Sequence, residues 1–164
     1  MIRTFLEKRK ARKVLGKYVG TDAAESVLRG DDIERQPLKP ARIEFVLVFV
    51  AGDTPEEISA RVGRVAEIAT SHDGVVHDMI GQLVVVAFGT LRGASSQPGS
   101  RPALVEHLSR ELSNHVKIVH GAADGHCGLI GSKNRLSYSF LLPRFDAMLG
   151  VIGSLEFGQV EEFR

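Results

Sequence analysis

Three aspartates occur in contexts where a carboxylate could do chemistry: Asp53 in "VAGDTPEE", Asp78 in "VVHDMIG" and Asp146 in "PRFDAML". Metal-assisted reactions require grouped carboxylates, because hard divalent cations are held by oxygen ligands. The three therefore define a candidate acidic or ligand site if the fold makes them converge. The competing structural reading has Asp53 helping Thr54 cap a helix, with Asp78 and Asp146 solvated. His120, Asp124, His126 and Cys127 form a second cluster whose spacing matches no zinc pattern. His120 and His126 are expected to flank a β-turn and point to different faces, so no metal site is assigned. "GLIGSK" (128–133) has the end of a phosphate loop but lacks the first glycine at the required spacing, and it reads as a turn. Cys127 is the single cysteine. Its one basic neighbour is His126, which favours a buried structural thiol over a nucleophile.

The elements that position these groups follow from composition and pattern. The 164 residues suffice for one domain with an N-terminal extension, and 43% apolar with 25% charged residues is ordinary for a globular protein. A net charge of +1 disfavours nucleic-acid binding by bulk electrostatics. One cysteine precludes an internal disulfide and suits a reducing compartment. No apolar stretch approaches the roughly 20 residues of a membrane span. At the N-terminus Phe5-Leu6 runs straight into Glu7-Lys8-Arg9-Lys10, unlike a signal peptide. A cytoplasmic location is the expectation.

Residues 1–40 read as a basic helical lead-in and linker, and 41–164 as the main domain. Within 1–19, Lys8, Arg9, Lys10, Arg12, Lys13 and Lys17 surround a thin apolar seam. Such a helix packs along that seam against its own domain or a partner, or makes peripheral contact with anionic lipid. "ERQPLKPAR" (34–42) follows as an extended linker whose prolines forbid helix. "IEFVLVFV" from Ile43 is near-continuously apolar and predicts a central strand buried on both faces. Thr54, Pro55 and Glu57 announce a helix that ends at His72-Asp73-Gly74. Val75–Ile80 and Leu83–Phe88 predict a hairpin turned at Gly81-Gln82, with glycine supplying the positive φ of a type II′ turn. A polar loop (90–102) precedes a helix from Ala103 to about Asn114. "VKIVHGA" predicts a strand that turns at Asp124-Gly125 into "HCGLI", followed by the strand "RLSYSFLL". Pro143 opens a short helix through Leu149, and "SLEFGQVEEF" predicts a last strand. The order β-α-β-β-α-β predicts an α+β, ferredoxin-like antiparallel-type sheet with helices on one face.

Four stretches in this order resemble the class III adenylate and guanylate cyclase homology domain. "LGKYVGTDAAESVLRG" is similar to the helical lead-in of many bacterial cyclase domains. "FVLVFVAGDTPEE" resembles the first catalytic strand and the helix after it, and "DGVVHDMIGQLVVVAFG" resembles the central hairpin. "IVHGAADGHCGLIGSKNRLSYSFLLPRFDAML" resembles the later hairpin and substrate-side helix. The resemblance implies a nucleotidyl cyclase-like fold and a dimer with sites between protomers. In such a site two Asp hold two Mg²⁺, a Lys/Asp-type pair selects the purine, and an Asn/Arg pair steadies the transition state.

Carried over by position, these roles fall on residues that cannot fill them. The first metal carboxylate falls on Val50, with Asp53 three residues later, and the second falls on Gln82. The purine-reading lysine falls on Asp78 and its partner on Pro143. The transition-state Asn falls on Asp146 and the Arg on Gly150. Valine and an amide provide no anionic oxygen for a two-metal site, and loss of an arginine finger alone costs about 10³–10⁵ in rate. The resemblance thus implies a pseudocyclase without catalytic residues, metal or cofactor. The expected role is a dimerising interaction or regulatory module, as a homodimer or as a heterodimer with a cyclase-like or signalling protein. The alternatives are a nucleotide or small-molecule sensor binding between protomers, and an active cyclase with an unusual site.

Overall fold

A computed structural model of the protein describes residues 38–89, 99–132 and 135–164. The expected basic helix and most of the linker, the loop 90–98 and Lys133 lie outside the described residues. The elements in chain order are β1 (Lys39–Val50), α1 (Pro55–Ser71), β2 (Val75–Ile80), β3 (Leu83–Phe88), α2 (Ser100–Leu112) with a 3-10 turn (Ser113–His115), β4 (Val116–Ser132), β5 (Arg135–Leu141), α3 (Phe145–Ser154) and β6 (Val160–Phe163). The chain divides into two compact units, residues 42–125 with 142–164, and residues 1–41 with 126–141.

In the larger unit the strands are ordered β2-β3-β1-β4, and β6 pairs in parallel with β4. β1 is interior, as its unbroken apolar run predicts: a strand flanked on both sides and covered on both faces has no polar position to offer. Its alternate residues divide between the two faces. Val46, Val48 and Val50, with Val84, Val86 and Phe88 of β3, pack under Val65, Ile68 and Ala69 of α1 and Leu104, Val105, Leu108 and Leu112 of α2. The two crossover helices therefore share one face, as the β-α-β-β-α-β order requires. Each of the valine, leucine, isoleucine and phenylalanine side chains among them, fully buried, stabilises the fold by about 1.5–3 kcal/mol. Phe45 and Leu47 are buried on the opposite face, paired across from Ala87 and Val85. There α3 brings Leu149, Ile152 and Gly153 against Phe49 and Leu83. In the smaller unit the end of β4 pairs antiparallel with β5, from His126↔Leu141 to Ser132↔Arg135.

Local signals explain the elements that carry the site. Thr54 caps α1 by accepting from the Glu57 N–H at 3.2 Å, and Pro55 opens the helix. Gly81 turns the hairpin at φ 61°, while Gln82 stays outside the positive-φ region. Positive φ at the first central residue alone is the type II′ signature.

Several boundaries differ from expectation. β1 begins at Lys39, because Pro40 excludes helix but fits extended backbone at a strand's start. β4 runs unbroken through Asp124-Gly125 and through Gly128–Ser132, where turns were expected. Asp124 pairs instead with Arg42 of β1 at 3.3 Å, and that cross-strand contact favours the sheet over a turn. Helix α2 starts at Ser100, since Pro102 is compatible with a first turn. Helix α3 starts after Pro143, at Phe145, and reaches Ser154. The final strand is confined to Val160–Phe163.

Candidate functional site

The end of β1 and the tip of the β2–β3 hairpin are joined by the backbone: the Val50 N–H donates to the Gln82 carbonyl at 2.9 Å. The two positions assigned by resemblance to metal carboxylates are thus neighbours. Their side chains do not supply a cation site. Val50 is fully buried in the core beneath α1 and α2, facing away from α3, and Gln82 is a half-buried neutral amide. The strand residue that faces the α3 side here is Phe49.

Beyond Val50 the chain enters α1 through a tight loop. The Arg61 guanidinium donates to the Ala51 carbonyl at 2.7 Å and lies 3.6 Å from the Glu57 carboxylate. A Cβ on Gly52 would come within 2.5 Å of the Ile58 side chain, so the close approach of loop to helix requires glycine. Asp53 is exposed, and its backbone N–H donates to Glu57 Oε2 at 3.1 Å. Thr54 is the cap and Asp53 supplies a second contact of the box.

On the α3 side lies a groove of about 320 Å³ lined by Phe49, Leu83, Lys117, Leu149, Ile152 and Gly153. Phe157 stands 6.3 Å from Phe49 between ring centroids. The Lys117 ammonium lies 4.9 Å from the Phe157 ring centroid and 6.0 Å from that of Phe49, within cation–π range. The groove is apolar with one cation. Sequence analysis missed it, because Phe49 is indistinguishable from its buried neighbours in "FVLVFV". One signal was legible: a lysine inside the apolar strand "VKIV" must point to a face that admits charge.

The three aspartates belong to three different parts of the fold. Asp78 pairs opposite Val85 on β2, Asp53 precedes α1, and Asp146 lies in the first turn of α3, three residues before the groove residue Leu149. Among the described residues no group of three His, Cys, Asp or Glu could hold a metal ion. Pro143 is exposed in the turn before α3, and Gly150 is exposed on the helix, where a Cβ would meet nothing within 4 Å. Arg144, between Pro143 and Phe145, adopts φ 59° and stacks its guanidinium 5.0 Å from the Phe163 ring.

His120 sits in a cluster of charged side chains. His120 Nδ1 lies 3.1 Å from the Arg101 guanidinium, which also meets Glu44 at 3.3 Å and Glu162 at 3.5 Å. Burial, with the Arg101 charge, holds the His120 imidazole below its ordinary pKa. His126 is exposed and pairs opposite Leu141. Cys127 is half-buried rather than buried, because β4 carries it through the sheet opposite Phe140. A polar chain that sequence spacing could not reveal joins α1 to α2: His72 Nε2 lies 3.0 Å from His107 Nδ1, His107 Nε2 lies 3.0 Å from Glu111, and Arg64 grips Glu111.

No family model matches the chain, and no curated protein does. Solved structures do match. A bacterial light-regulated adenylyl cyclase superposes with a TM-score of 0.65 at 13% identity, over 93% of this chain and 51% of that one. The fold is that of a nucleotidyl cyclase domain. The adenylyl cyclase CyaB from P. aeruginosa gives a TM-score of 0.59 at 12% identity, over 77% of this chain and 79% of that one. The guanylyl cyclase Cya2 gives 0.57 at 16% identity, over 77% of each chain. In this cyclase-like fold the end of β1 and the tip of the β2–β3 hairpin are adjacent.

Proposed function

We propose that the chain is a non-catalytic cyclase-like domain that acts as a dimerising interaction or regulatory module. The observation that carries this reading is the pairing of Val50 with Gln82. A backbone contact joins strand end and hairpin tip, yet one side chain is a core valine and the other an amide. A two-metal centre needs anionic oxygens at such a junction. A scaffold keeps its surfaces when its chemistry goes, and function then resides in what those surfaces recognise.

Incubating the purified protein with ATP or GTP and Mn²⁺, followed by mass spectrometry, tests the reading. No cyclic nucleotide above a protein-free control is the expected result, and a stoichiometric excess of cyclic AMP or cyclic GMP overturns it.

A sensor of nucleotides or other small molecules is the second reading, favoured by the groove with Lys117 at its wall. A ligand that binds the folded state raises Tm by mass action. A nucleotide panel that shifts Tm in the wild type but not in Lys117→Ala supports that reading, and no shift at millimolar ligand dismisses it.

A further inference from the structure

The polar chain between α1 and α2 has the parts of a small metal site. His72 closes the C-terminus of α1, and His107 sits within α2. Their rings stand edge to face, with centroids 5.2 Å apart and His72 Nε2 3.0 Å from His107 Nδ1. The other nitrogen of His107, Nε2, lies 3.0 Å from Glu111 Oε2. Arg64 grips both oxygens of that carboxylate and bonds Glu67 at 2.9 Å. The Arg64 hydrogen bonds hold the Glu111 carboxyl below the usual carboxylate range, so Glu111 is an anion that accepts the Nε2–H of His107. That contact fixes the tautomer, and Nδ1 of His107 is left with a lone pair aimed at His72.

The His72 imidazole can meet that lone pair in two ways. It can donate its Nε2–H, or it can carry the proton on Nδ1 and present a second lone pair. The change of tautomer costs no net charge and leaves two nitrogen donors facing one point. Zinc–imidazole bonds of about 2.0–2.1 Å at a tetrahedral angle set two ligand nitrogens about 3.3 Å apart, a few tenths of an ångström beyond the separation found here. Glu111 is not a third ligand, because it holds the nitrogen of His107 turned away from His72. A carboxylate behind a ligating histidine orients the ring and raises its basicity. Water completes the coordination, and side-chain exposures of 27% at His107 and 33% at Glu111 leave a path for the ion. The helix end adds to the attraction. The last turn of α1 carries no basic side chain, so a cation at His72 meets the unbalanced negative end of the helix dipole.

We propose that His72 and His107 bind one divalent transition-metal ion of the imidazole-seeking kind, such as Zn²⁺, Cu²⁺ or Ni²⁺, which clasps the end of α1 to α2 while Glu111 positions His107. The site lies on the helix side of the sheet, opposite the groove, and stands or falls independently of the dimerising reading. The test titrates the EDTA-stripped full-length protein with ZnCl₂ by calorimetry and follows Tm, with circular dichroism to verify folding of each variant. One Zn²⁺ per chain should bind and raise Tm by about 3 °C or more at saturation. His72→Gln and His107→Gln should each weaken binding about tenfold or more. Glu111→Gln should weaken it about tenfold with the stoichiometry and the metal-free fold kept. His115→Gln and His126→Gln, at exposed positions, should change nothing. Zinc binding that survives in the His72→Gln/His107→Gln double variant, or that is lost with His115 or His126, overturns the site. No binding at millimolar Zn²⁺ overturns it as well. Electron paramagnetic resonance of one equivalent of Cu²⁺ on the wild type needs no variant: two coupled nitrogens are expected, and fewer than two overturn the proposal.

Discussion

At the scale of single residues, Val50 and His77 show how burial decides chemistry. An Asp at position 50 would not rebuild a metal site, because the side chain there enters the core beneath α1 and α2. A carboxylate without a partner in that setting is costly. Val50→Asp should destabilise the protein by about 3 kcal/mol or more, measured by urea unfolding, and should gain no cyclase activity. Partial activity in a stable Val50→Asp variant would show that the residue reaches solvent. His77 sits at the bulge of β2, and burial holds its imidazole down at about 4, the nearby Asp78 charge opposing. The unfolded chain takes up this proton near pH 6.5, and the folded chain does so only near 4. The unfolded state therefore binds more protons across that interval, and stability falls as pH drops from about 6.5 to about 4. His120 is shifted in the same direction and adds to the effect. Urea midpoints at pH 7 and pH 5 should differ in the wild type and differ less in His77→Gln. An unchanged difference would remove His77 as a cause.

At the scale of elements, close backbone approaches set the geometry. Gly121 of β4 lies where a Cβ would come within 2.6 Å of the Phe163 carbonyl and 3.0 Å of the Phe45 ring. The first contact is to backbone and cannot give way cheaply. Gly121→Ala should therefore push β6 off β4 and cost about 1–3 kcal/mol, and exchange of the amides of 160–163 should quicken most. The elements themselves were largely legible. The cap at Thr54, the Gly81 turn and the apolar run of β1 are signals in local chemistry, and all three appear where that chemistry puts them. The misplaced turn at Asp124-Gly125 has a different origin. Its dipeptide favours a turn in isolation, but Arg42, some 80 residues earlier in the chain, lies beside Asp124 once β1 and β4 are neighbours. The groove was illegible for the same reason: Phe49, Lys117, Leu149 and Phe157 acquire a common surface only through the register of strands and the seat of α3.

At the scale of the whole molecule, the balance between protomer and assembly is the open question that physical measurement reaches most directly. Ile80 is 61% exposed at the hairpin tip, so it contributes little to the protomer's own core. If that face is buried between two copies, the dimer is stabilised by mass action and Tm rises with protein concentration. Ile80→Ser should then abolish that dependence while leaving the Tm at high dilution close to that of the wild type. The pairing of outcomes is what discriminates. A fall in Tm at every concentration would place Ile80 in the protomer's core instead. An unchanged slope would place the contact elsewhere on the surface. A slope lost with the dilute-limit Tm preserved assigns the residue to the interface alone, because only the associated state has then been weakened.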